Sequence, residues 1–339
     1  MFKLNLKRFA NEGIAPQTLN VQTTLKNTTG NDLSPEMKTF YDKALLKFAK
    51  PNLVHDQFAQ KRNIPKNGGK TIEFRRYSQL PKALTPLVEG VTPTGQNLNV
   101  TTLNATVAQY GGYITLSDVL LLTAIDNNLM EAIELLGDQA GRTLDTITRE
   151  VLVSGTNVIY AGGRSARTAI TASDKLTVMD IKKAVRELKV GLAKPINGSY
   201  VAIVHPDTVF DLMNDDEWIN ASQYAGSTQI FEGEIGKLYG VRFVESTEAK
   251  IWAQAGASNI SVYATLVLGS NAYGTTNVEG GGLQSIVKQL GSGGTADPLN
   301  QRSTAGWKAI KTAEILYDDY MVRIESASSY SNTSDDSAN

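Results

Sequence analysis

The feature that most constrains the fold is a long apolar stripe near the middle of the chain. Its members recur at spacings of four and three residues: Leu129, Ile133, Leu136, Ala140, Leu144, Ile147 and Val151. This spacing is typical of one face of an α-helix. From Asp126 to about Ser154 it predicts a helix of about 28 residues and about 42 Å, which ends at Gly155. The sequence therefore predicts a long spine helix.

Two glycines lie inside this predicted helix, Gly137 and Gly141. Each costs up to about 1 kcal/mol of helix stability relative to alanine. We interpret them as positions where another backbone approaches the helix closely.

A second constraint is a pair of strand-like segments far apart in the chain. Residues 71–77 and 98–107 both show strand patterns, and the segment between them contains Pro81, Pro86 and Pro93. Together they predict a long two-stranded ribbon. Because an isolated two-stranded ribbon is marginally stable in water, we expect another copy of the chain to cover it.

The rest of the chain mixes helical and strand patterns, which indicates an α+β fold. Residues 1–33 predict an extended arm, and Ser34–Pro35 begin a short helix that ends at Pro51. Further helices are predicted from Val178 to Ala193 and from Pro206 toward Trp218. Strands are predicted at 200–204, 241–244 and 260–268, and a strand or a strand and helix at 309–326.

Composition narrows the class of protein. The 339 residues are 41% hydrophobic and 20% charged, which are globular values and permit a sizeable core. No apolar run approaches the ~18 residues of a membrane span, and the first residues lack the apolar centre of a secretory signal. The absence of cysteine excludes disulfides and thiolate sites. We expect folding in the cytoplasm and no membrane partner.

Charge is distributed unevenly along the chain. Residues 1–70 contain 12 Lys and Arg against 5 Asp and Glu, a formal charge of +7, although the whole chain carries −1. A basic flank attracts phosphates. The alternative interpretation is an ordinary solvated surface that pairs with the acidic remainder of neighbouring subunits. This second interpretation is the simpler one.

Catalytic patterns are weak throughout the sequence. The two histidines, His55 and His205, lie 150 positions apart, and a structural role is the simpler interpretation of both. The segment 291–296 matches a dinucleotide-binding glycine pattern in spacing, but Asp297–Pro298 follows where a helix must start. The segment 233–238 lacks the spacing of a phosphate-binding loop. We therefore expect no catalytic, cofactor-binding or metal-binding residue.

Three longer segments resemble one known family, the major capsid proteins typified by the coliphage N-four coat protein. They are LGDQAGRTLD at 136–145, EIGKLYGVRFVES at 234–246, and DPLNQR at 297–302 with GWKA at 306–309. The resemblance covers about residues 35–325. It implies the tailed-phage major capsid fold of the Hong Kong phage type, which has an N-terminal arm, an extended β-hairpin loop, a peripheral domain with a long spine helix, and an axial domain.

The resemblance also implies a domain organisation. Its parts are an N-terminal arm at 1–65, an extended loop at 66–110, a peripheral domain with the spine helix at 111–175, an axial domain at 176–290, a return to the peripheral domain at 291–327, and a disordered tail at 328–339. The function it implies is a major capsid protein that self-assembles into hexamers and pentamers. These would form an icosahedral shell, assembled in the bacterial cytoplasm and located in the virion.

The implied partners are further copies of the chain, a separate scaffolding protein, a portal, packaged double-stranded DNA and, in some relatives, a decoration protein. No Lys–Asn crosslink is expected. For contacts between subunits we predict the ribbon residues Phe74, Arg76 and Glu89. Three alternatives remain: an encapsulin-like nanocompartment shell, a nucleotide-using oxidoreductase acting through 291–296, and a surface adhesin.

Overall fold

The computed structural model describes residues 19–20, 54–123, 128–219, 236–288, 290–292 and 297–331. Four α-helices lie in this part of the chain: α1 (Asp118–Thr123), α2 (Asn128–Val153), α3 (Val178–Val190) and α4 (Pro206–Met213). The strands are β1 (Leu19–Asn20), β2 (Gln60–Ile64), β3 (Thr71–Tyr77), β4 (Val100–Thr106), β5 (Ala108–Ser117), β6 (Val158–Tyr160), β7 (Tyr200–Val204), β8 (Lys237–Leu238), β9 (Val241–Glu245), β10 (Ile251–Trp252), β11 (Val262–Leu268), β12 (Tyr273–Val278), β13 (Gln284–Lys288), β14 (Arg302–Ile315) and β15 (Met321–Ser326).

The described residues divide into two compact units. The smaller unit contains the described parts of 111–140 and 283–309 together with β1, and the larger unit contains the described parts of 54–110, 141–282 and 310–331. Three elements, β5, α2 and β14, have residues in both units. Each unit has its own sheet contacts and apolar cluster.

The larger unit is built on a mixed sheet with the strand order β6-β15-β11-β7-β9-β8, and β10 pairs with β11. β7 runs parallel to β9 and antiparallel to β11, which in turn runs antiparallel to β15. Every residue of β7, β11 and β15 is buried. Strands buried on both faces need cover on both sides of the sheet.

Helices supply that cover. On one face, α3 and α4 bury residues such as Ile181, Leu188 and Leu212 against Ala202 and Val204 of β7. The other face buries a second cluster that includes Leu152 and Val153 of α2 together with Ile203, Leu268 and Met321. Thr177 begins α3 by accepting a hydrogen bond from the main-chain N–H of Asp180. Alternate side chains of β7 therefore pack into two separate cores, one on each face of the sheet.

A buried polar cluster ties the segment before β2 to α2. His55 Nδ1 lies 2.6 Å from Asp145 Oδ2, and the His55 main-chain N–H donates to Asp145 Oδ1 at 2.8 Å. Beside this pair, Lys311 Nζ donates to Asp56 and, at 2.9 Å, to the carbonyl of Leu144. Each charge in the cluster thus has an oppositely charged or hydrogen-bonding neighbour, as burial requires.

Two further groups close the same cluster. Thr148 donates its hydroxyl to Asp56 at 2.6 Å, and the Tyr273 hydroxyl donates to the His55 carbonyl. Burial raises the pKa of Tyr273 above its ordinary value, and the nearby carboxylates of Asp56 and Asp145 raise it further. The tyrosine therefore stays protonated and serves as a hydrogen-bond donor.

The C-terminal end of α2 is held by an arginine from β15. Arg323 donates to the carbonyls of Val153 and Gly155, which have no partner within the helix. Glu325 is fully buried and neutralises Arg323 on one side and Arg167 on the other. The Arg167 guanidinium also lies 3.5 Å from the centre of the Trp252 ring, a cation–π contact.

In the smaller unit, β5 and β13 flank the first half of β14. β13 pairs antiparallel with β14 from Gln284↔Lys308 to Lys288↔Thr304. Glycine permits close approach of strands here, because a Cβ on Gly111 would lie 2.7 Å from the Trp307 carbonyl oxygen. The Trp307 Nε1–H donates to Gln139 of α2 at 3.1 Å.

The long helix and the ribbon predicted from the sequence are both confirmed. α2 covers 26 residues between Asn128 and Val153, and β3 pairs antiparallel with β4. The strands predicted at 200–204, 241–244 and 260–268 match β7, β9 and β11, and the region 309–326 contains the second half of β14 and all of β15. Apart from β1, the predicted arm at 1–33 and the short helix that follows it lie outside the described residues.

The second half of α2 buries a different set of residues from its apolar stripe. In that half the buried residues are Gly141, Asp145, Thr148, Arg149, Leu152 and Val153, whereas the apolar stripe residues Leu144, Ile147 and Val151 are only partly buried. These polar residues are buried because each has a hydrogen-bonding partner. The polar cluster supplies partners for the Asp145 carboxylate and the Thr148 hydroxyl, and the Glu248 carbonyl accepts from Arg149 at 2.7 Å.

Two smaller expectations have different outcomes. Among the described residues, no atom of the same chain lies within 4 Å of a Cβ placed on Gly137. The close approach of another backbone at Gly137 and Gly141 stays a prediction. The disordered tail predicted at 328–339 is wrong for residues 328–331. Ser328 and Ser329 both donate to the Asp211 carboxylate, and the Ser331 hydroxyl donates to the Ser261 carbonyl. Residues 332–339 lie outside the described part of the chain.

His55→Ala tests the polar cluster. The substitution leaves the Asp145 carboxylate buried without its imidazole partner, so we expect the free energy of unfolding to fall by about 3–5 kcal/mol. Chemical denaturation of dissociated subunits measures this. Arg75→Ala, which removes an exposed ion pair with Glu73, is the control and should leave stability nearly unchanged. Equal stability of the two variants would contradict the assigned role of the cluster.

Candidate assembly surface

The residues with catalytic potential have structural partners. His55 lies inside the buried polar cluster. His205 begins α4 and its Nδ1 accepts a hydrogen bond from the Asp207 main-chain N–H at 3.3 Å. No group of three or more His, Asp or Glu side chains with metal-binding geometry occurs among the described residues. Within the same residues, no helix is long and apolar enough to cross a bilayer.

The base of the ribbon is anchored by Phe74. This side chain is 4% exposed and packs with Ala105 of β4 and with Leu316, just beyond β14. Gly274 of β12 makes room for the ring, since a Cβ there would lie 3.0 Å from Phe74 Cε1. Ile72, Leu103 and Tyr317 pack around the same cluster. The ribbon therefore has a fixed attachment to the larger unit.

Beyond this attachment the ribbon has almost no cover. Every residue from 77 to 102 is exposed. Eight of these residues are large and apolar: Tyr77, Leu80, Leu84, Leu87, Val88, Val91, Leu98 and Val100. Leu84 and Leu87 are 82% and 78% exposed. We call residues 77–102 the ribbon tip. Single exposed apolar residues are ordinary, but a concentration of this kind marks an interaction surface.

The end of the ribbon tip is a turn that presents a carboxylate. Val91 N–H donates to the Val88 carbonyl at 3.1 Å, and Gly90 adopts φ +79°, a conformation that glycine adopts without strain. Glu89 occupies the exposed corner of this turn. It and Lys82 are the two charged residues of the ribbon tip.

A concave pocket lies at the base of the ribbon, inside the larger unit. Its volume is about 180 Å³. The lining contains three arginines and two amides together with apolar and aromatic side chains: Gln60, Arg62, Phe74, Arg75, Arg76, Leu103, Asn271, Leu316 and Tyr317. The Arg76 guanidinium lies 5.4 Å from the centre of the Tyr317 ring. We call this the arginine pocket, and it contains no acidic side chain.

The three residues predicted to contact other subunits occupy different environments. Phe74 is buried inside its own chain, which leaves little of its side chain for a neighbour. Arg76 is partly exposed and lines the arginine pocket, and Glu89 is exposed in the turn of the ribbon tip. Contact with another subunit stays a prediction for all three.

Sequence reasoning missed the apolar residues of the ribbon tip and the arginine at position 62. Leu84, Leu87 and Val91 lie in a segment rich in proline and glycine, where no strand or helix period draws attention to them. Five large aliphatic residues between positions 80 and 91 were the available signal. Arg62 carried no signal, because its pocket joins segments that are distant in the chain.

A family model described as phage capsid protein matches residues 100–320, about two thirds of the sequence. The match includes β4, α2 and every strand of the sheet of the larger unit except β15. The chain belongs to the phage capsid protein family. It is a phage capsid protein, a structural subunit of a bacteriophage head, and the virion capsid is its location.

Solved phage capsids share the fold across nearly the whole chain. The capsid of the cyanophage P-SCSP1u aligns with a TM-score of 0.65 at 16% identity and covers 93% of this chain and 99% of its own. The capsid of Ralstonia phage GP4 gives 0.65 at 14% identity, covering 88% and 96%. The capsid of a native GTA particle gives a TM-score of 0.55 at 11% identity, covering 97% of this chain and 100% of its own. No curated protein matches the sequence.

These matches decide between the alternatives drawn from the sequence. They favour a phage shell over an encapsulin-like compartment, and the family implies a structural role. The mixed α+β architecture expected from the sequence agrees with the capsid structures.

Phe74→Ala tests the anchor of the ribbon. Removing a buried aromatic ring costs about 3–5 kcal/mol, and here the loss should be local to the ribbon base. We expect faster proteolytic cleavage within residues 66–110 while the sheet of the larger unit stays intact, as measured by limited proteolysis and mass spectrometry. Tyr77→Ala, at an exposed position on the same strand, is the matched control. Equal cleavage of both variants would show that Phe74 anchors nothing.

Proposed function

We propose that this chain is a major capsid protein and self-assembles into hexamers and pentamers, which close an icosahedral shell around double-stranded phage DNA. The observation that carries the proposal is the ribbon tip, whose eight large apolar side chains are exposed in the single chain. Burial of apolar surface contributes about 25 cal/mol per Å². Covering this surface with a neighbouring subunit therefore provides a large part of the free energy of association.

We further propose the domain assignment of the coliphage N-four-like capsid family, with the Hong Kong phage type of fold. Residues 66–110 would be the extended loop, 111–175 the peripheral domain with α2 as its spine, and 176–290 the axial domain, preceded by an arm at 1–65. The support is the order of elements along the chain, in which a ribbon, a long helix and an α+β lobe follow one another.

The proposed shell subunit has no enzymatic activity. Its interactions are with other proteins and with DNA. A separate scaffolding protein, a portal and in some cases a decoration protein would complete the particle, which assembles in the host cytoplasm. Ordinary specific interfaces bury about 1,200–2,000 Å², and a repeated symmetric contact of this size allows marginally stable subunits to form a stable shell.

Electron microscopy of the purified protein, expressed alone and together with its genomic neighbours, tests the proposal. Closed angular shells or rings of five or six subunits are expected. A small oligomer of fixed size under all conditions would contradict it.

Leu84→Ser with Leu87→Ser tests the role of the ribbon tip. Both side chains are exposed, so the subunit should fold with an unchanged melting temperature. Shell yield, measured by sedimentation, should fall by about tenfold or more because apolar contact area is lost. Gln96→Ser with Asn97→Ser changes the same tip without removing apolar surface and is the control. Normal shells from the leucine variant would rule out the tip as an assembly contact.

The excess of basic residues in positions 1–70 supports a contact with packaged DNA. Replacing Lys3, Lys7 and Arg8 by glutamine should let filled shells release DNA at a lower salt concentration, because each phosphate contact adds to the salt dependence of binding. DNA release against ionic strength measures this in particles of unchanged yield. An identical release curve would assign these residues to a protein contact or to solvent.

A further inference from the structure

The arginine pocket holds positive charge that its own chain does not neutralise. Arg75 pairs with Glu73 at 3.1 Å, and both side chains are substantially exposed. Arg62 and Arg76 have no carboxylate partner in the part of the chain that the structure describes, and Arg76 lies against the Tyr317 ring instead. Two guanidinium groups thus face one small cavity without a counter-charge.

The geometry of the pocket suits an oxyanion. Guanidinium groups bind carboxylates and phosphates through pairs of parallel N–H donors. The amides of Gln60 and Asn271 add neutral donors to the same lining, while Phe74 and Leu316 lower the local polarity. Like charges that converge in a partly apolar site repel one another unless an anion joins them. An anion bound in the arginine pocket would therefore reduce the repulsion between the guanidinium groups.

One carboxylate of this chain is exposed and forms no ion pair among the described residues. Glu89 is the sole acidic residue between Arg75 and Asp118, and it is exposed at the turn of the ribbon tip. No cation among the described residues forms an ion pair with it. The apolar side chains of Leu87, Val88 and Val91 surround it in the sequence and are also exposed. A surface that covers the tip must therefore receive this carboxylate.

We propose that the arginine pocket of one subunit receives the Glu89 carboxylate of a second subunit. The proposal rests on the proposed shell function and adds the polar contact that fixes where a ribbon tip docks. Apolar contact contributes affinity but does not fix how the ribbon tip is oriented on its neighbour. A carboxylate held between Arg62 and Arg76 fixes the position and orientation of the tip. In the single chain Glu89 is solvated and the pocket has no acid, so the contact exists only between copies.

Charge exchange tests the proposal. Three variants are compared with the wild type: Arg62→Glu with Arg76→Glu, Glu89→Arg, and all three changes together. The first two should each lower shell yield by about tenfold or more, since like charges then meet in the contact. The triple variant should recover most of the yield, because the opposite charges are restored in exchanged positions. Yield is measured by sedimentation and electron microscopy.

The triple variant also separates assembly from folding. Arg76→Glu removes the contact with Tyr317 and can lower the stability of the ribbon base, but a change at Glu89 cannot repair such a defect in its own chain. Recovery of yield therefore reports a contact between subunits. Lys82→Glu, which alters the other charge of the ribbon tip, is the matched control and should leave yield unchanged.

Three results would overturn the inference. The triple variant stays as defective as the double arginine variant, or Glu89→Arg assembles normally, or the double arginine variant assembles normally but releases DNA at lower salt. The last result would assign the pocket to phosphate groups of DNA. Failure of the wild type to form any shell is a different outcome, since it contradicts the proposed function itself.

Discussion

The architecture of the larger unit depends on the buried contact between His55 and Asp145. Two hydrogen bonds join these residues, and both side chains are shielded from water. The contact fixes the chain just before β2 against the second half of α2, and Lys311 extends it to β14 through Asp56 and the Leu144 carbonyl. Because a buried charge without a partner costs several kcal/mol, these three segments have one favourable arrangement.

The same unit contains surfaces of two opposite kinds. β7 and β11 are buried on both faces and supply the stability of the fold within one chain. The ribbon tip is exposed along its whole length and contributes almost nothing to that stability. Phe74 marks the boundary between them, since its ring belongs to the internal core while the strand that carries it continues into solvent. Under the proposed function, we therefore expect substitutions in the internal core to affect folding and substitutions in the ribbon tip to affect assembly.

The periodicity of the sequence predicted where helices and strands lie, but it predicted less well which of their residues are buried. The spacing of Leu136, Ala140 and Leu144 located α2, and alternation located β3. The buried face of the second half of α2 does not follow the apolar stripe, because Asp145, Thr148 and Arg149 are buried through partners 90 or more residues away. The arginine pocket was invisible for a similar reason, since it joins β2, β3 and the residues around 271 and 317. Complementarity between distant polar groups leaves no period in a sequence.

The exposed ribbon tip has a kinetic consequence for the free subunit. Eight uncovered apolar side chains near a strand pair give newly made chains a surface that associates with any other apolar surface. Productive and unproductive association both accelerate as the concentration of free subunits rises. If the ribbon tip docks on other subunits as proposed, free subunits have to enter growing particles about as fast as they are made, or the tip has to be masked until then. The exposed leucines of the ribbon tip therefore limit how high the concentration of free subunits can rise.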